Sequence, residues 1–82
     1  MATTNKKTAM QTYEDRAQDI GALMTWLQDE LEVHEAKAKA DPTNWGFAGD
    51  LGNVQAKLVE ILTFLSGNDE RAIAEALADL RN

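Results

Sequence analysis

Lys39-Ala40-Asp41-Pro42-Thr43-Asn44-Trp45-Gly46-Phe47 is the stretch on which the fold turns. Proline cannot continue a helix and pushes the residue before it out of helical geometry, so a helix arriving from the N-terminal side must stop at Asp41. The same pair is a start signal, because Asp at a cap and Pro in a first helical position suit a second helix. The chain is therefore expected to form two long helices joined by a tight connection.

Upstream of the break, Thr8 to Gln11 fits the capping-box pattern. Apolar or neutral residues then recur at Met10, Tyr13, Ala17, Ile20, Met24, Leu27, Leu31, His34 and Ala38. These steps alternate three and four, the rhythm of a helix that runs almost parallel to its neighbours. Lys37 and Lys39 complement the helix dipole at the far end. Helix 1 is expected over 8–39, roughly 46 Å long at 1.5 Å per residue, which needs something lying along its whole length. Residues 1–7, with nothing to bury, read as a flexible tail.

Downstream, Phe47, Leu51, Val54, Leu58, Ile61 and Leu65 form the stripe of helix 2. Gly46, Gly49 and Gly52 oppose it, each costing about 1 kcal/mol in a helix interior. Two starts follow, one near Thr43 and one near Asp50 with 44–49 as a structured loop; the earlier is favoured because the stripe already includes Phe47. Gly67 ends helix 2, and Asn68 is placed to cap a third helix over 69–81. That helix carries Ala72, Ile73, Ala76, Leu77 and Leu80 on one face. The expected fold is all-α, with helices over 8–39, 43–66 and 69–81 in a single helical domain, 8–82. Its architecture is a long helical hairpin plus a short third helix, a three-helix bundle, with a four-helix core formed on dimerisation.

Composition narrows the function. A chain of 82 residues that is 44% hydrophobic and 27% charged affords a thin core, and proteins of this size often recruit disulfides, a metal or a partner. Cysteine is absent and there is one histidine, which excludes disulfides and leaves no ligand set for zinc, so self-association is the remaining staple. Eight Lys and Arg against fourteen Asp and Glu give a net charge of −6, the wrong sign for direct nucleic-acid binding or for anionic lipid. No apolar run reaches the roughly 18 residues a membrane span needs, and Lys6-Lys7 leads into polar residues rather than a signal sequence, so a cytoplasmic location is expected.

Two faces are candidate interfaces. On helix 2 the charges Asp50, Lys57 and Glu60 keep to a narrow sector, while Trp45, Gly49, Gly52, Ala56, Val59 and Thr63 form a small, uncharged side. Small residues let helix backbones approach closely. Trp45 is expected to be largely buried, either sealing the hairpin end or anchoring a self-interface, with truncation to Ala costing about 3 kcal/mol. On helix 1, Leu23, Trp26 and Val33 fall away from the main stripe, rimmed by Asp15, Asp19, Asp29 and Glu30. Either helix 3 covers this patch, or a basic protein partner does.

Signals for chemistry are weak. The spacing of Gly46, Gly49 and Gly52 matches no phosphate-binding loop. Leu31 stands three residues before His34, where a di-iron bundle needs Glu. Ser66, the only serine, is explained by capping at a helix end. No catalytic, metal or cofactor-binding residue is assigned, and the chain is expected not to be an enzyme. The leading expectation is a self-associating, non-catalytic acidic interaction protein, a homodimer. The alternative is an acidic inhibitor or nucleic-acid mimic for a basic target, and the third class is a small metal-binding or enzymatic helical protein.

Overall fold

The structure is a computed structural model that describes residues 6–81; the first five positions of the expected tail lie outside the described residues. The described residues are all-helical, in the order α1 (Ala9–Ala40), α2 (Trp45–Ser66) and α3 (Glu70–Arg81). They divide into two compact units between Asp41 and Pro42, the first holding α1 and the second holding α2 and α3. Among the described residues no helix is long and apolar enough to cross a membrane.

The start of α1 is closed by Thr8 and Gln11. The Thr8 hydroxyl accepts the Gln11 N–H at 3.0 Å, and the Gln11 side chain accepts the Thr8 N–H at 2.8 Å. Two donors that the helix cannot satisfy are thereby paired. At the far end Lys39 reaches Glu35 at 3.4 Å, a one-turn pair that adds little at an exposed site. The helix runs one residue beyond the expected end.

The entry into α2 corrects the expected cap. Asp41 still belongs to the end of α1, because its N–H donates to the Ala38 carbonyl at 3.1 Å. Pro42 and Thr43 form a turn, and Asn44 takes the cap in extended geometry, its side-chain oxygen accepting the Gly46 N–H at 2.9 Å. Helix 2 therefore begins at Trp45, two residues after the favoured start and well before Asp50. Gly46, Gly49 and Gly52 are all helical. A β-carbon at Gly49 or Gly52 would meet open space, so nothing within the chain demands glycine at either position.

The link to α3 is the tightest piece of the fold. Gly67 is left-handed, with φ of 78°, and its N–H donates to the Thr63 carbonyl at 3.1 Å. The Ser66 hydroxyl donates to the Leu62 carbonyl and accepts the Asn68 N–H, as expected of a serine at a helix end. The cap of α3 is Asp69 rather than Asn68, its carboxylate accepting the Ala72 N–H at 2.8 Å. Asn68 is held in the turn by Ser66, so the cap falls to the next oxygen-bearing side chain.

Helix α3 packs on α2 through part of its expected face. Ile73, 8% exposed, is the one buried residue among those described, and Leu77 is half-buried. Both line an open groove of about 520 Å³ with Leu51, Val54, Leu58 and Leu62 of α2. Leu80 belongs to the same sequence stripe yet is 82% exposed. The contact is centred on the Ile73-Leu77 step, and Leu80 lies to one side of it.

These backbone assignments set opposite signs for two glycine substitutions. Gly49→Ala should leave stability unchanged or raise it by up to about 1 kcal/mol, because the position is helical and unobstructed. Gly67→Ala should lower it by about 1 kcal/mol, because alanine is strained at positive φ. Urea titration of both variants checks the pair, and equal signs would contradict the assigned conformations.

Candidate interaction surface

Part of the small side of α2 faces α3 across an open groove. Gly52, Ala56 and Val59 line a second groove with Ala74, Leu77 and Arg81 of α3. Sequence reasoning gave these residues to a self-interface, and in the single chain Gly52 and Ala56 stay exposed while Val59 is half-buried, with open space where a β-carbon of Gly52 would stand. Thr63 is half-buried near the turn that starts α3, and its hydroxyl is buried without a hydrogen-bond partner.

Trp45 behaves differently. It is 85% exposed, which overturns the expectation that it is buried in the chain. The reason is length: α3 has 12 residues, and its last turn reaches the level of Gly52. Trp45 lies seven residues further along α2, roughly 10 Å beyond that level. Gly49 sits between the two and is also exposed.

Sequence reasoning missed Phe64, which is 86% exposed on the charged sector of α2. The signal was present, since Asp50, Lys57 and Phe64 are spaced by sevens and share a face. Leu65, the last residue of the helix 2 stripe, is exposed as well.

On α1, Leu23, Trp26 and Val33 are all exposed. The Trp26 indole N–H donates to the Glu30 carboxylate at 2.9 Å, which ties the ring along its own helix. Asp15 is paired with Lys7, so one acid of the rim is already neutralised. Along the main stripe Met10, Tyr13, Ile20 and Met24 are exposed, while Leu27, Leu31, His34 and Ala38 are half-buried.

Among the described residues no three metal-ligating side chains stand together. The two grooves are open troughs between α2 and α3, and the larger is lined chiefly by aliphatic side chains. No family model matches the chain, and no curated protein or solved structure does.

The exposure of Trp45 redirects its expected energetics. Trp45→Ala should change the unfolding free energy of the dilute chain by no more than about 0.5 kcal/mol, as at other exposed sites, instead of the 3 kcal/mol or so of a core truncation. Chemical denaturation at the lowest workable concentration checks this, and a loss typical of a core truncation would show that the indole is buried in the single chain.

Proposed function

We propose that this protein is a small, non-catalytic, acidic helical interaction protein that works by self-association, as a homodimer in which helices of two copies complete a shared four-helix core. One observation carries the reading. Among the described residues only Ile73 is buried, while large apolar side chains stand exposed on all three helices, including Met24 on α1, Trp45 and Phe64 on α2 and Leu80 on α3. Exposed apolar surface on this scale marks an interaction site. Aromatic side chains are also the residues that most often dominate binding energy once a partner covers them.

Net charge supplies a way to tell partners apart. Two copies each carrying −6 repel at long range, so salt should leave self-association intact or strengthen it. A basic partner would be released instead. That second reading rests on the exposed Trp26 and Val33 among Asp19, Asp29 and Glu30.

Light scattering at micromolar concentration should give twice the 9.0 kDa of the single chain, and should still do so at about 0.5 M salt. A mass of 9.0 kDa throughout would overturn self-association. Capture of basic proteins that is lost at about 0.5 M salt would then favour the second reading.

A further inference from the structure

We infer that the second copy docks on α1 itself, antiparallel, with the two-fold axis at the level of Ala22. This inference rests on the proposed self-association and specifies its partner and register. The stripe of α1 places Met10, Ala17, Met24, Leu31 and Ala38 at one heptad position and Tyr13, Ile20, Leu27 and His34 at the other. The N-terminal half of that stripe is exposed, and Leu27, Leu31 and His34 in its C-terminal half are half-buried. The residues flanking such a stripe set orientation and register through their charges. On one flank stand Ala9, Arg16, Leu23, Glu30 and Lys37, and on the other Glu14, Gly21, Gln28 and Glu35.

In an antiparallel pair, like flanks face each other. Centring the pair at Ala22 sets Ile20 against Met24 of the second copy, Ala17 against Leu27, Tyr13 against Leu31 and Met10 against His34. Arg16 then faces Glu30 of the second copy, twice by symmetry, and Leu23 faces Leu23. Glu14 meets Gln28, and no like charges oppose each other on either flank.

The competing arrangements fare worse. A parallel, in-register pair brings Glu30 against Glu35 on both sides. Sliding the antiparallel pair by one heptad toward the C-terminus sets Arg16 against Lys37, Glu14 against Glu35 and Leu23 against Glu30. Sliding it the other way loses a layer pair at the end. Gly21 is an independent observation pointing the same way. It lies mid-helix, where glycine is costly, and a β-carbon there would meet nothing within the chain. The Ala22-centred register brings Gly21 opposite Gly21 of the second copy, where the missing side chain lets the backbones close in.

Single-cysteine variants of the full chain, treated with a short bis-maleimide while light scattering reports the mass, test this. Leu23→Cys should cross-link to itself. Ala9→Cys and Lys37→Cys should each fail alone, because the like positions are roughly 39 Å and 45 Å apart in this register, yet should cross-link when mixed. The charge reversals Arg16→Glu and Glu30→Arg should each weaken dimerisation about ten-fold, and the double reversal should restore it. Self-cross-linking of Ala9→Cys would overturn the antiparallel pairing. A dimeric mass without the Leu23→Cys cross-link would overturn the α1 register while leaving self-association standing, and a monomeric mass would overturn both.

Discussion

The seating of Ile73 against α2 is the contact that joins α3 to the rest of its unit. Burying one isoleucine contributes roughly 1.5–3 kcal/mol, which is of the same size as ordering one or two residues of backbone. Three helices with 32, 22 and 12 residues cannot rest on that alone. Their capping is thorough, with Thr8, Asn44 and Asp69 each holding a helix start, but a cap is worth only about 1 kcal/mol. The apolar faces of α1 and α2 are therefore the main reserve of stabilising free energy, and that reserve is released only when something covers them.

This constraint also explains the division of labour between the helices. Helix α3 is short, so it runs beside the Leu51 to Leu62 stretch of α2 across an open groove, leaves those leucines partly exposed and does not reach Trp45. Between α3 and Gly52, Ala56 and Val59 lies an open groove, so the small side of α2 is not filled within the chain. Apolar side chains stand exposed on the N-terminal half of the α1 stripe and along α2 from Trp45 to Leu65. The acidic surface discourages indiscriminate association, so a productive partner must match both shape and charge. The alternation of Arg16 and Glu30 about Ala22 meets that demand for a second copy of the chain.

Much of this architecture was legible in the residues. The Thr8–Gln11 box, the Asp41-Pro42 stop and the Gly67 terminator mark helix ends through local chemistry, and local chemistry is what a sequence displays most directly. The misplaced caps are instructive. Asp41 and Asn44 are both good cap residues, as are Asn68 and Asp69, and the choice depends on hydrogen bonds to Ala38 and Ser66 that composition does not reveal. Packing partners were harder still. How far α3 reaches along α2 depends on its length, so of the two readings of Trp45, sealing the hairpin end or anchoring a self-interface, the single chain rules out the first. Phe64 was overlooked because the helix 2 stripe absorbed the apolar residues around it, although its spacing from Lys57 placed it among the charges.

The central claim is that covering the apolar helix faces by another copy supplies stability the single chain lacks, and the concentration dependence of thermal unfolding tests it most directly. When folding is coupled to association, mass action raises the melting temperature with protein concentration. The account predicts a melting temperature that climbs steadily over a hundred-fold range of concentration, followed by the helical circular dichroism signal. A melting temperature that stays constant across that range, with a cooperative transition, would show that the single chain carries its own core and would contradict the account.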